Sequence, residues 1–158
     1  MNGIVKFSEA ASIALHAMTV LGAAPDRHLT VRDIAESMPV SEAHLAKVLQ
    51  RLAKAGLVGS VRGPNGGFVL RGNPRQITLL AVYEAIEGRL QVASCVFPGS
   101  RGCSTCILDD TLRAANQLVR DRLARTTLAH LAGTFRPNTL VALGASPASA
   151  AARSRRRP

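Results

Sequence analysis

The sequence predicts a mainly α protein with a small β-hairpin wing: a winged helix-turn-helix followed by a long C-terminal dimerisation helix. Three observations predict it. Capped stretches with helical apolar spacing recur three times in the first 55 residues, a Gly-rich turn between two short apolar runs follows them, and a one-faced amphipathic segment closes the folded part.

In the first helix, over residues 8–22, Ile13, Ala14, Ala17, Val20 and Leu21 share a face. Ser8 is the N-cap and Glu9 lies in the first turn, where a negative charge meets the positive end of the helix dipole. Residues 25–28 turn. Thr30 caps a second helix to about Met38, with Val31, Ile34 and Ala35 inward, and Met38-Pro39-Val40 breaks it.

Ser41 caps the third helix, which runs to about Ala55 and stops at Gly56. Leu45, Val48, Leu49 and Leu52 repeat at i, i+3, i+4 and i+7 and so form a buried stripe, leaving Glu42, Ala43, His44, Lys47, Gln50, Arg51 and Lys54 outward. The runs at 57–61 and 68–70 flank Arg62-Gly63-Pro64-Asn65-Gly66-Gly67, which has hairpin-loop chemistry. A helix over 78–87 follows, with Leu79, Val82, Tyr83 and Ile86 inward and Gly88 as its stop.

Residues 91–106 lack periodicity, contain Pro98, Gly99 and Gly102, and hold all three cysteines, so they read as a loop. From about Leu108 to Ala124 the positions Leu108, Leu112, Ala115, Val119 and Leu123 draw one apolar stripe, which suits a dimer seam. After Pro137 the chain is Ala, Ser, Gly, Pro and Arg, a composition expected to stay disordered. The expected division is a DNA-binding module over 1–90, a cysteine-bearing loop over 91–107, a dimerisation region over 108–136 and a basic tail over 137–158.

The net charge of +10 is unevenly placed, with nine basic against five acidic residues over 1–75 and four arginines in the tail. A polyanion is the natural partner for the first focus, and a solvated face is the alternative. No stretch resembles a signal peptide or an apolar span of membrane length, so a soluble cytoplasmic protein is expected. An odd number of cysteines argues against a secreted disulfide framework.

In a winged helix-turn-helix, residues near the start of the second helix of the motif enter the major groove. Ser41, Ala43, His44 and Lys47 are therefore the base-reading candidates, with Arg51 nearer the phosphates. Arg62 can enter a minor groove or clamp phosphates, Asn65 adds a polar group, and Gly66 lets a backbone amide approach closely. The alternative for Gly66-Gly67 is a role in the turn alone.

The thiols read Cys95-x7-Cys103-x2-Cys106, a spacing that lets three sulfurs converge. Iron-sulfur clusters and zinc both use such thiolates, and each normally takes four ligands. Asp109, Asp110, His130, or Glu9 or His16 of the partner subunit can supply the fourth. No strand precedes the Cys-x-x-Cys pair in a βαβ pattern, which argues against a thioredoxin-like enzyme. Neither a nucleophile–base pair nor a phosphate-binding loop ending in Lys-Ser/Thr is present, so catalysis is not expected.

These residues resemble the Rrf2 family of bacterial transcription regulators, which includes iron-sulfur regulators of the IscR, NsrR and RirA type. The likeness covers about residues 4–132. Its most specific stretch is VRGPNGGFVL at 61–70, supported by LAKVLQRLAKAGLV at 45–58 and ITLLAVYEAIEG at 77–88. The resemblance implies a homodimer whose long helix crosses to the partner, with an iron-sulfur cluster, [2Fe-2S] or [4Fe-4S], held in the loop before it.

Cys95 matches the family's first cluster cysteine. Cluster-binding relatives space their cysteines evenly, whereas here the gaps are seven and two residues, so Cys103 and Cys106 are carried over as a group. Glu9 matches the acidic fourth ligand that the nitric oxide sensing branch takes from the other subunit, and Asp110 falls where the IscR branch has a histidine ligand. Ala46-Lys47 replaces the acidic and amide pair usual in the IscR-like recognition helix, which implies a different operator. The expected activity is that of a DNA-binding regulator, of repressor type, sensing redox, iron or nitric oxide status. The alternative keeps the DNA module and makes the thiols a zinc site or a thiol/disulfide switch.

Overall fold

The computed structural model describes residues 7–63, 66–90 and 109–133. Among the described residues, six helices and one hairpin follow in the order α1 (Glu9–Ala23), α2 (Val31–Ala35), α3 (Glu42–Lys54), β1 (Val58–Val61), β2 (Gly67–Leu70), α4 (Leu79–Glu87), α5 (Asp109–Arg125) and α6 (Leu128–Ala132). The cysteines, Asn65 and the C-terminal tail lie outside the described residues.

α1 is the central element, packing against α3, α4 and α6. Ala11, Ile13, Ala14, Ala17, Met18, Val20 and Leu21 are all buried, so the helix is apolar around most of its circumference, as an enclosed helix must be. Its buried Thr19 hydroxyl donates to the Leu15 carbonyl at 2.7 Å, which satisfies the side chain within the helix. At its start the Ser8 hydroxyl accepts the Ala11 amide at 3.0 Å.

The caps expected at Thr30 and Ser41 are formed as well, and Thr78 caps α4 in the same way. Thr30 makes a full capping box, accepting the Asp33 amide while Asp33 accepts the Thr30 amide. α2 is shorter than its sequence suggests: only Val31–Ala35 is helical, and the chain then tightens through Ser37 and Met38, whose amides donate to the Ile34 and Ala35 carbonyls. Pro39 disfavours helical geometry at Met38, and the i→i+3 bonds begin one residue earlier, at the Ser37 amide.

The hairpin is antiparallel, with Val58 opposite Leu70 and Val61 opposite Gly67. Leu29, between the turn at 25–28 and the Thr30 cap, joins it as a one-residue third strand: its amide donates to the Phe68 carbonyl at 2.9 Å and its carbonyl accepts the Phe68 amide at 2.8 Å. A Cβ on Gly67 would stand 2.5 Å from the Leu29 carbonyl oxygen, so the approach depends on glycine.

The long helix expected from about Leu108 to Ala124 is α5, and a short helix not expected from the sequence follows it. α5 ends at Arg125, the chain turns through Thr126 and Thr127, and α6 folds back onto α1. The Leu79 amide donates to the Thr126 carbonyl at 2.9 Å and the Leu128 amide to Ile77 at 3.0 Å, bridging the start of α4 to the α5–α6 corner. Leu128 is fully buried, with its Cβ 3.4 Å from where a Cβ on Gly22 would lie.

The apolar stripe expected on α5 is therefore divided. Val119 and Leu123 pack against the chain's own core, Leu112 and Ala115 are half-buried, and Asn116 is buried beside them. Leu118, off that stripe, is 71% exposed. Leu108 lies outside the described residues.

Candidate nucleic-acid interface and sensor region

The recognition helix candidate is α3, seated by Leu45, Val48, Leu49 and Leu52, none of them more than 2% exposed. Ser41, Ala43 and Lys47 stand exposed at its N-terminal end, and His44 is half-buried beside them. The Ser41 hydroxyl accepts the His44 amide at 3.3 Å, so the residue that caps the helix also orients its first turn. The helix thus contributes its apolar stripe to the core and its polar face to solvent.

Arg62 is exposed at the root of the wing loop. Gly66 serves the turn: its amide donates to the Gly63 carbonyl at 2.9 Å, and a Cβ there would lie 2.3 Å from the Val61 carbonyl oxygen. Its N–H already has a partner within the loop. Arg51, expected nearest the phosphates, turns its guanidinium toward α4 and donates to the Ile86 carbonyl.

Glu9, the candidate partner-supplied ligand, lies in the first turn of α1 with its side chain 78% exposed, and its carboxylate is 3.9 Å from His44 Nδ1. Between α1 and the turn from α2 to α3 is a cleft of about 340 Å³ lined by Glu9, Ser12, Ile13, His16, Met38 and Val40. One wall of that cleft is the turn of the helix-turn-helix. Asp110 is exposed at the head of α5. Among the described residues no three His, Cys, Asp or Glu side chains converge on one point.

Sequence spacing gave no hint that Glu9 and His44 would be neighbours, since 35 positions separate them. Nor did it mark Glu84 and Arg120, whose side chains meet at 3.3 Å between α4 and α5. Both pairs arise from helix packing and not from any local motif.

A mainly helical chain with a two-stranded wing and an exposed, capped reading helix has the architecture of a winged-helix regulator of transcription. Residues 7–134 match the Rrf2 family, described as iron-dependent transcriptional regulators, and the chain belongs to that family. It is 41% identical over 83 residues to the HTH-type regulator BadM of Rhodopseudomonas palustris, covering 52% of this chain and 53% of that protein. The chain thus spans about half the length of that relative.

It is 33% identical over 122 residues to the HTH-type regulator NsrR of Geobacillus kaustophilus, covering 75% of this chain and 83% of that one. In structure it is similar to CymR, the global cysteine regulator of B. subtilis, with a TM-score of 0.73 at 26% identity over 84% of this chain and 99% of that one. It is also similar to T. potens IscR, with a TM-score of 0.66 at 26% identity over 85% and 90% of the two chains. No helix among the described residues is long and apolar enough to cross a membrane.

Proposed function

We propose that the protein is a cytoplasmic, homodimeric, sequence-specific repressor that senses redox, iron or nitric oxide status through an iron-sulfur cluster held by Cys95, Cys103 and Cys106. Residues 1–90 form the DNA-binding module, 91–107 the cluster loop and 108–136 the dimerisation region. Ser41, Ala43, His44 and Lys47 read bases, and Arg62 with Asn65 contacts the DNA from the wing. The tail over 137–158 adds sequence-independent attraction to DNA.

The observation that carries the sensing half is the 3.9 Å approach of Glu9 to His44. An exposed carboxylate is a harder ligand than a thiolate and more easily displaced, so it suits a labile fourth position; Asp110 is the second choice. With Glu9 of the partner subunit as ligand, occupancy at the cysteines acts directly beside a base-reading side chain. When bound, the cluster supplies redox and nitric oxide chemistry. Glu9 orients or releases His44.

We assign the dimer seam to the open side of α5, a reading supported by the exposure of Leu118. Leu118→Asp is expected to raise the dimer dissociation constant by at least about ten-fold, the scale of one interface anchor, as read by light scattering across a dilution series. An unchanged constant would move the seam elsewhere.

The deciding experiment is an absorption spectrum with iron, sulfide and zinc analysis on protein purified without oxygen, followed by binding of a duplex selected from a random pool. A brown protein with matched iron and sulfide, whose affinity for that duplex changes on cluster loss, is expected. A colourless protein holding about one zinc per chain, or metal-free after reconstitution, would replace the cluster with a zinc site or thiol/disulfide switch. The likeness to a cysteine regulator supports that second reading.

A further inference from the structure

The last turn of α4 carries polar contacts to three other parts of the chain. Arg51 of α3 donates to the Ile86 carbonyl. One carboxylate oxygen of Glu84 accepts the Leu90 amide at 3.2 Å and Arg120 Nη1 of α5 at 3.3 Å, and the same Arg120 nitrogen donates to the Leu90 carbonyl at 3.0 Å. Glu87, at the end of the turn, accepts the Ser8 hydroxyl that caps α1.

Each contact has a physical reason to persist. Ile86 lies in the final turn, where carbonyls lack an intrahelical donor and the helix dipole favours a cation, so the Arg51 guanidinium acts as a C-terminal cap. Glu84 and Arg120 are 27% and 35% exposed, partly withdrawn from the screening that weakens surface pairs. Both also grip the backbone of Leu90, the last described residue before the segment that carries Cys95, Cys103 and Cys106. One Arg51 nitrogen is engaged with the Ile86 carbonyl while the residue stays exposed, so whether its charge also meets a phosphate is what the salt dependence below decides.

We propose that this turn is a positioning junction: Arg51 fixes the recognition helix to α4 without contacting DNA phosphates, and Glu84 with Arg120 fixes the start of the cysteine-bearing segment and α5 to the same turn. Changes at the thiols then reach α3 through α4. The second half rests on the sensing function proposed above; the first does not.

Two measurements on the full-length chain test the two halves separately, using a duplex selected by the wild-type protein. For Arg51→Met, the dissociation constant is expected to rise about ten-fold, as for loss of one hydrogen bond to a charged group, with the slope of log affinity against log salt unchanged. A slope reduced by about one would identify a phosphate contact and overturn the assignment. Thermal melting checks that the variant is folded.

For the relay, affinity is compared before and after alkylation of the cysteines with iodoacetamide. The wild-type chain is expected to shift, Glu84→Leu to lose at least about five-fold of that shift, and Glu84→Gln, whose amide oxygen still accepts the Leu90 amide, to fall between. A full shift in Glu84→Leu overturns the relay. No shift in the wild type removes the thiol-sensing function and the relay with it, while the salt slope still judges Arg51.

Discussion

Gly67 is held by its neighbour's backbone and not by any side chain. Its φ of 156° and the 2.5 Å that would separate an added Cβ from the Leu29 carbonyl oxygen leave no relaxation except parting Leu29 from the wing. Gly67→Ala is expected to destabilise the fold by about 2–3 kcal/mol, the scale of overpacking plus backbone strain, measured by denaturant unfolding. Equal stability would mean that the Leu29–Phe68 bridge contributes nothing. The glycine pair is plain in the sequence as a turn signal, yet its partner is not, because a one-residue strand has no alternation to read. His44 shows the same division: its place on the reading face follows from helical spacing, and its proximity to Glu9 follows only from how α1 and α3 cross.

Among the elements, α1, α3 and α4 were legible almost residue by residue, because each has a side-chain cap at its start and an apolar stripe that is in fact buried. α6 was missed. Its five residues are too few for a periodic signal, and it exists because Leu128 fills the space over Gly22 while backbone bonds to Ile77 and Pro74 fix its path. Leu128→Ala is accordingly expected to cost about 2–5 kcal/mol, the range for deleting a fully buried leucine, with the loss read by chemical denaturation. A loss below about 1 kcal/mol would show α6 to be an appendage. Ser41→Ala, which removes the cap on the reading helix, should cost about 1 kcal/mol in the same assay. On α5 the stripe of apolar letters was read as one seam, and packing assigns part of it to the chain's own core, because the turn at Thr126 and Thr127 brings α5 back against α4.

At the scale of the whole molecule, the uneven positive charge becomes a statement about binding. Affinity for DNA is expected to fall steeply with salt, and deleting residues 137–158 should weaken binding to any duplex while preserving the ratio between selected and random sequences. A change in that ratio would give the tail a part in recognition. The fold was readable from the sequence because it rests on local spacing, and the family because the stretches at 45–58, 61–70 and 77–88 resemble it, whereas the contacts proposed to link thiols to DNA were not, since each joins distant helices through single side chains. The structure also separates two jobs on α3. Leu45, Val48, Leu49 and Leu52 hold it in place, and Ala43, Lys47 and Gln50 lie open to solvent with no share in the core. With Ala43 and Lys47 among the base readers proposed above, operator preference becomes a portable trait: those open positions are expected to accept residues from another member of the family on this scaffold, provided Arg51 stays where it is.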